Sequence, residues 1–324
     1  MFKKSMAIIV CSLLFVACNS SDGKRLITNS SGTINNLAVV VDNELWEGSV
    51  GEAIREVLAA PVYGLPQEEP LFTLSQMPPQ VFSGFATKNR TVLKIEKGEA
   101  ETKYLKNAFA KPQKLVLVVG QNNEEIISQL KENANRIIST FKQEEIKAVH
   151  KRIDISPHTN NNIEEVLGLS MSFPSVYRVA KEDNDFFWVR RDTKNGSMNL
   201  MLYTLPIDAV SKESETLVND IIKIRDSIGK AHIPGPVDGS YMITEAAYTP
   251  FIANTIIDNK PAIETKSTWE VENAWMAGPF INYIIEDKVN NRLLVAEAFT
   301  YAPSSAKRDK MFELEAIIKS IKIK

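Results

Sequence analysis

Cysteine is scarce in this sequence, and its scarcity limits both disulfides and metal sites. The 324 residues include two cysteines, Cys11 and Cys18, and none follows Cys18. A disulfide within the chain after Cys18 is therefore excluded. The three histidines, His150, His158 and His232, lack the i, i+3 or i+4 spacing of zinc ligands. We therefore expect no structural or catalytic metal.

The sequence also lacks the short motifs that identify common enzyme classes. It contains no Gly-x-Ser-x-Gly elbow, no Gly-x-Gly-x-x-Gly turn and no P-loop. The Ser-x-x-Lys spacing of penicillin-recognising enzymes occurs at Ser227/Lys230 and Ser304/Lys307. The same spacing recurs elsewhere in the chain, and the companion Ser-Asp-Asn and Lys-Thr-Gly boxes are absent. These observations assign no catalytic residue and no cofactor.

Basic residues do not outnumber acidic residues in this sequence. Lys and Arg number 38 against 40 Asp and Glu. Residues 1–17 hold two of the lysines and no acid, so the remainder has a net charge of −4 with histidine neutral. Nucleic-acid binding requires a basic face, and this composition predicts no nucleic-acid partner.

The N-terminus has the layout of a secretory signal. Lys3 and Lys4 precede an apolar run from Met6 to Ala17, which is well short of the roughly 20 residues that span a bilayer as a helix. Val16-Ala17-Cys18 resembles a lipobox, the signal at which a bacterial envelope Cys is acylated and becomes the new N-terminus. An ordinary signal peptide cut nearby, with Cys18 as a spare thiol, is the alternative.

These features predict a lipoprotein signal peptide at 1–17, lipidation with palmitate or similar acyl chains at Cys18, and a flexible polar tether at 18–35. The membrane is then a partner through the N-terminal lipid. Only one acid, Asp22, follows Cys18 closely, whereas surface-exported lipoproteins carry an acidic cluster there. We therefore expect an outer-membrane location that faces the periplasm.

The length and the apolar pattern predict two α+β domains, each a mainly antiparallel sheet packed with helices. The N-terminal domain is predicted at 36–153 and the C-terminal domain at 163–324, joined by the polar segment 154–162. Strands are expected at 36–42, 91–96, 114–120, 167–173, 177–180, 186–191, 198–205, 263–270, 280–287 and 292–299; helices are expected at 51–59, 124–152, 211–228 and 305–321. Asn195-Gly196 is a strong hairpin signal.

Several segments together resemble an uncharacterised lipoprotein family of Bacteroidetes. They include Trp46-Glu47-Gly48, Gly64-Leu65-Pro66-Gln67, Tyr203-Thr204-Leu205-Pro206, residues 225–230, residues 239–245 and Met276-Ala277-Gly278-Pro279-Phe280. The resemblance implies an envelope lipoprotein and supplies no catalytic residues. Gly168 to Tyr177 and Ala296 to Ile321 also resemble the PsbP-like fold, which implies a binding or assembly module in the C-terminal half.

Loops rich in Pro, Gly and aromatic residues provide the candidate binding site. Aromatic side chains on restrained loops bury large areas at small entropic cost. The predicted ligand-binding residues are Trp269, Trp275, Tyr241 and Tyr248 as stacking surfaces, with Glu245 as a polar anchor. Their alternative role is to plug the ends of a sheet and pack the domains together. Asp226-Ser227-Ile228 also fits a short O-glycosylation pattern, which makes Ser227 a candidate acceptor.

The leading hypothesis is a lipid-anchored, non-enzymatic envelope protein that binds or scaffolds an envelope protein or glycan. A hydrolase of peptidoglycan, glycan or lipid is the competitor, and it requires a pocket with two neighbouring carboxylates, one of raised pKa. A transport accessory is the third possibility, and it would show a deep apolar cavity.

Overall fold

The computed structural model describes residues 27–159, 162–211 and 213–324. The predicted signal peptide and Cys18 lie outside these residues. No helix within the described ranges is long and apolar enough to cross a membrane. The described chain forms two α+β domains, which confirms the predicted class.

The N-terminal domain is built on a five-stranded sheet with the order β3-β2-β4-β7-β5. Its strands are β2 (Asn36–Val40), β3 (Thr73–Met77), β4 (Thr91–Lys97), β5 (Glu101–Lys106) and β7 (Lys114–Gly120). The pairings β2–β3, β2–β4 and β4–β7 are parallel, and only β5–β7 is antiparallel. The expectation of a mainly antiparallel sheet is therefore wrong for this domain. Its central strands are continuous apolar runs buried on both faces, as is typical of parallel strands.

Four helices accompany this sheet: α1 (Asn43–Glu47), α2 (Ser49–Leu58), α3 (Asn123–Glu132) and α4 (Ala134–Ile153). Short 3-10 turns follow β3 at Pro79–Val81 and Gly84–Lys88. The single helix expected at 124–152 is split at Asn133, whose side chain donates to the Gln129 carbonyl, 2.8 Å away. An Asn side chain that binds the backbone in this way favours a helix end over a helix interior.

Ordered structure begins earlier than the predicted tether allows. Strand β1 (Thr28–Asn29) pairs in parallel with β6 (Ala110–Lys111). Asn35 is 1% exposed, and its N–H donates to Glu145 Oε2 at 3.3 Å. The described residues within 18–35 are therefore part of the N-terminal domain and not a flexible tether.

The C-terminal domain contains an eight-stranded sheet with the order β12-β14-β15-β16-β11-β10-β9, in which β13 also pairs with β14. Every pairing is antiparallel, as predicted for this domain. The strands are β9 (Arg178–Asp183), β10 (Phe186–Thr193), β11 (Gly196–Pro206), β12 (Met242–Thr244), β13 (Phe251–Ile257), β14 (Lys260–Val271), β15 (Ala274–Asp287) and β16 (Arg292–Tyr301). A 3-10 turn, Lys288–Asn290, joins β15 to β16.

The hairpin predicted at Asn195-Gly196 joins β10 to β11. Gly196 has φ +155°, and a Cβ at this position would lie 1.9 Å from the Tyr301 carbonyl oxygen. The close approach of β16 therefore requires glycine here. By contrast, the strand expected at 167–173 is short: helix α5 (Asn162–Leu167) leads into β8 (Leu169–Ser170), which pairs with β17 (Lys322–Ile323).

Helices cover both faces of the eight-stranded sheet. Helix α6 (Ser214–His232) lies on one face, where Ile221 joins a core with Met201 and Phe280. Helix α7 (Arg308–Ile318) lies on the other, where Leu314 and Ile317 are fully buried. The last turns of α4 pack into this second core, whereas its earlier turns belong to the N-terminal core. Helix α4 therefore connects the two hydrophobic cores.

The domains also meet at the N-terminus of α7. The Glu69 carboxylate accepts from the backbone N–H groups of Lys307, at 2.7 Å, and Arg308, at 3.0 Å. These N–H groups have no partner within the helix, and an acid at a helix N-terminus is stabilising. A side chain of the N-terminal domain thus caps a helix of the C-terminal domain.

Candidate functional site: an aromatic groove

A cavity of about 420 Å³ opens on the α6 face of the C-terminal sheet. Its lining includes the aromatic residues Trp188, Trp269, Phe299 and Tyr301, and the loop after α6 covers it at 233–236. Strand register explains the convergence, because β10, β11 and β16 are neighbours and β14 lies across β15 from β16. The volume is within the range of small-ligand pockets.

Gly278 allows Trp269 to reach the cavity wall on β16. Trp269 pairs with Gly278 across the β14–β15 ladder, and its ring meets Phe299 edge-on at 5.5 Å between centroids. A Cβ at position 278 would lie 3.1 Å from Trp269 Nε1 and 2.1 Å from the Thr300 carbonyl oxygen. The missing side chain therefore leaves room for the indole to cross β15.

The indole N–H of Trp269 is an unusual feature of this wall. Trp269 is 2% exposed, and its Nε1 is buried without a hydrogen-bond partner among the described residues. A buried donor left unpaired costs about 1–3 kcal/mol. A ligand or water acceptor that reached this nitrogen would recover part of that cost.

The opposite wall has fixed polar groups. Trp188 Nε1 donates to Asn199 Oδ1 at 3.1 Å, and Asn199 Nδ2 donates to Ser197 Oγ at 3.0 Å. Asn199 is 1% exposed, so this chain of bonds holds the Trp188 ring in place. Arg190 lies 5.6 Å from the Trp188 ring and pairs with Asp192 at 2.7 Å. The cavity thus combines aromatic surfaces with amide, hydroxyl and guanidinium groups.

A second cavity of about 530 Å³ adjoins the first, because Trp188 and Pro234 line both. We refer to the two adjoining cavities as the aromatic groove. The second cavity includes Tyr241, whose ring lies 5.2 Å from Lys230 Nζ, and His232. His232 stacks on Phe186 with centroids 3.9 Å apart. Burial, together with the Lys181 charge, lowers the pKa of His232.

The structure brings two of the five predicted ligand-binding residues to the groove, Trp269 and Tyr241. Trp275 is completely exposed near the β14–β15 turn. Glu245 and Tyr248 lie in the loop after β12, where the Glu245 N–H donates to the Thr268 carbonyl. None of these three lines either cavity.

Sequence reasoning missed the strand residues of the groove, Trp188, Asn199, Phe299 and Tyr301. Asn199 is two residues after Ser197, and Tyr301 is two residues after Phe299. In a strand this spacing places both members of each pair on the same face of the sheet. That alternation was the available signal. It identifies a shared face but does not tell which strands are neighbours.

Buried charges occur beside the groove, under α6. Arg225 Nε donates to Glu297 Oε1 at 2.9 Å, and both side chains are at most 1% exposed. The guanidinium lies 3.8 Å from the Phe280 ring, and Asn282 Nδ2 donates to Glu297 Oε2 at 3.0 Å. Burial raises the pKa of Glu297 despite the Arg225 charge. The pair faces protein on all sides, so its role is to fix α6 on the sheet.

The competing hydrolase hypothesis requires two neighbouring acids in a pocket. No Asp or Glu lines either cavity of the groove. Burial and the charges of Glu245 and Glu272 raise the pKa of Glu270, but none of these three acids lines the groove. Within the described ranges, no group of three or more His, Cys, Asp or Glu side chains is placed to hold a metal ion.

Ser227, the candidate glycosylation site, lies on the exposed side of α6. Its hydroxyl donates to the Lys223 carbonyl at 2.8 Å. Its glycosylation stays a prediction.

Comparison with known proteins gives two family matches and several distant structural neighbours. Residues 30–154 match a domain of unknown function (DUF8532), and residues 156–320 match a second (DUF4837). No curated protein matches. A crystal structure of LpqN, which is involved in cell envelope biogenesis of Mycobacterium tuberculosis, is 8% identical and covers 47% of this chain and 81% of its own, with a TM-score of 0.26. A likeness this low supports no conclusion about function.

The expected resemblance to an uncharacterised family is confirmed at the level of these two domains, while the Bacteroidetes and PsbP-like likenesses stay predictions. The match at 156–320 covers just over half of the 324 residues. The chain therefore belongs to the DUF4837 family of unknown function.

Proposed function

We propose that the protein is a lipid-anchored, non-enzymatic component of the cell envelope whose aromatic groove binds a glycan. Acylation of Cys18 would hold it at the outer membrane, with both domains in the periplasm. The observation that carries the binding proposal is the indole N–H of Trp269, which lies in the wall of a 420 Å³ cavity and has no hydrogen-bond partner among residues 27–159, 162–211 and 213–324.

The lining of the groove fits a sugar, because aromatic and uncharged polar groups accompany the basic side chains Arg190, Lys181 and Lys230. Trp188 and Tyr241 provide partly exposed ring faces, and the buried Trp269, Asn199 and Ser197 form part of the wall behind them. Sugar rings present apolar C–H faces and hydroxyl groups, which match such a mixture of aromatic walls and a few placed polar groups. Hydroxyl oxygens would accept from the Trp269 indole.

The binding test uses the chain from Asn19 onward, which retains every described residue, and a panel of envelope glycan fragments measured by isothermal titration. Trp269→Phe keeps an aromatic ring but removes the N–H, and we expect binding to weaken about tenfold, within the cost of a lost hydrogen bond. Trp188→Ala removes a wall and should weaken binding at least as much. The control is Trp275→Ala, because Trp275 is exposed and outside the groove.

Two outcomes would refute glycan binding: no fragment binds, or Trp275→Ala weakens binding as much as Trp188→Ala. If an unglycosylated envelope peptide bound and Trp188→Ala weakened its binding to the same extent, the ligand of the groove would be a peptide and not a glycan.

The anchoring part of the proposal has its own test. Cells that express the full chain are labelled with radioactive palmitate, and the N-terminus of the purified product is examined by mass spectrometry. Cys18→Ser should abolish the label and release the protein into the soluble fraction. An unlabelled wild-type product would refute the lipid anchor and leave the binding proposal standing.

A further inference from the structure

Besides Arg90, four exposed basic side chains line a third cavity, of about 350 Å³, on the N-terminal domain. They are Lys111, Lys147, Lys151 and Arg152, and we call them the basic patch. All four are exposed. Among the described residues, none of them forms an ion pair within 4.0 Å, unlike their neighbour Arg90, which pairs with Glu145 at 2.8 Å.

The patch concentrates positive charge on a protein that is acidic overall. Lys147 and Lys151 are one turn apart on α4, where like charges repel. Glu144 is the acid in the lining of this cavity, and it is 5% exposed; Asp154 follows α4 in sequence. The exposed cations therefore outnumber the acids, and an anionic partner would relieve their repulsion.

The position of the patch points to a membrane as that partner. Asn29 and Ser30, at the start of the described chain, line the same cavity. Cys18 is ten residues before Thr28, and ten fully extended residues span at most about 35 Å. A lipid on Cys18 would therefore keep the basic patch close to the bilayer surface.

An exposed apolar side chain completes this surface. Ile155 is 81% exposed and lines the cavity beside Lys151 and Arg152. Apolar side chains flanked by Lys and Arg are typical of protein surfaces that rest in the headgroup region of a membrane.

We propose that the basic patch docks on anionic phospholipid headgroups of the membrane that holds the acyl chains. This inference rests on the proposed lipid anchor, and it adds an orientation: the end of α4 faces the bilayer. Each Lys or Arg near an anionic membrane strengthens binding about fivefold, the equivalent of about 1 kcal/mol.

The test measures vesicle binding by the unacylated chain from Asn19 onward, so that the patch is examined without the lipid. Vesicles of phosphatidylcholine with phosphatidylglycerol are compared with vesicles of phosphatidylcholine alone, by co-sedimentation at low salt. The variant K147E/K151E/R152E should bind the anionic vesicles on the order of 100-fold more weakly. Added salt should weaken wild-type binding, because it screens exposed charges.

The matched control is K97E/K194E/K223E, which changes the net charge by the same amount at three exposed lysines. Lys97 lies at the opposite end of β4 from Arg90, and the other two lie on the C-terminal domain. We expect the control to bind the anionic vesicles within about threefold of wild type. A small loss is expected because distant charges are only partly screened at low salt. Equal urea midpoints of the two variants would show that both are folded.

Three results would overturn the proposal: equal binding to both vesicle types, an equal loss in the control variant, or competition by a short anionic oligonucleotide at the same concentration as the lipid. The last would identify a general polyanion site. A missing palmitate label on the full chain would refute the anchor alone, because the vesicle measurement does not depend on acylation.

Discussion

Glu315 lies in a cluster of charged side chains between the domains, and its pKa predicts how the stability of the protein depends on pH. This side chain of α7 is 14% exposed, and Lys319 Nζ lies 2.5 Å from its Oε1. Glu315, Lys142 of α4 and Lys266 of β14 all line a cavity between the two domains. Burial alone would raise the pKa of Glu315, but the charges of Lys319, Lys266 and Lys142 outweigh it and lower the pKa to about 2.

The shift can be converted to a contribution to stability. A drop from the ordinary 4.5 to about 2 corresponds to about 3 kcal/mol at pH 7. Because the folded-state pKa is depressed, this stabilisation is fully present above the unfolded pKa and is lost as the pH falls from about 4.5 towards about 2. At pH 3 the unfolded state binds the proton and the folded state does not, so only about 1 kcal/mol remains.

We therefore expect Glu315→Gln to lower the free energy of unfolding by about 3 kcal/mol at pH 7 and by about 1 kcal/mol at pH 3. Urea titrations followed by tryptophan fluorescence and circular dichroism measure both values. The control is Glu101→Gln, which breaks an exposed pair with Lys103 and should cost less than about 1 kcal/mol at either pH. A loss from Glu315→Gln that is equal at the two pH values would refute the electrostatic explanation.

Three further perturbations follow from single contacts. Gly278→Ala would place Cβ 2.1 Å from the Thr300 carbonyl oxygen, and we expect a loss of about 3 kcal/mol or more in urea unfolding. Glu69→Ala removes the acceptors at the α7 N-terminus, so amide hydrogen exchange at Lys307 and Arg308 should accelerate about tenfold, the equivalent of about 1.4 kcal/mol. The lowered pKa of His232 means that the unfolded state binds its proton more readily, so stability should fall as the pH drops below about 6.5. His232→Phe should flatten that dependence between pH 7 and pH 5; an unchanged slope would exclude His232 as its source.

Strands β9, β10, β11, β14, β15 and β16 of the C-terminal domain were predictable from sequence because most of them pair with a neighbour in sequence, whereas β12 and β13 were missed. Strands β14, β15 and β16 follow one another and pair in that order. In the N-terminal domain, β2 instead pairs with β3 and β4 across long connections that contain α1, α2 and two 3-10 turns. Parallel pairing of this kind depends on tertiary packing, which local periodicity does not contain.

The start of the N-terminal domain was misplaced for a similar reason. The residues around Thr28 and Asn35 are polar, and their composition is typical of a linker. They become ordered through partners distant in sequence, Lys111 for β1 and Glu145 for Asn35. No signal within residues 27–35 specifies these contacts.

The groove was predictable only in part. Trp269 and Tyr241 were predicted because they belong to segments rich in Pro, Gly and aromatic residues. Trp188 and Tyr301 lie in strands without such a composition. Trp188 and Trp269 belong to β10 and β14, which the sheet separates by three strands. They line one cavity because both side chains lie on the α6 face of the sheet and the loop after α6 adds to the lining. Local sequence patterns specify neither arrangement.

The basic patch and the aromatic groove lie on opposite sides of the eight-stranded sheet. Val149 and Ile153, on the same helix as the patch, pack into the core on the α7 side, whereas Trp269 and Phe299 belong to the core on the α6 side. A patch that faces the bilayer therefore places the sheet between the lipid and the groove. A membrane lipid would have to leave the bilayer and pass around the domain to bind there. This geometry favours a ligand of the aqueous compartment, such as a glycan, over a lipid.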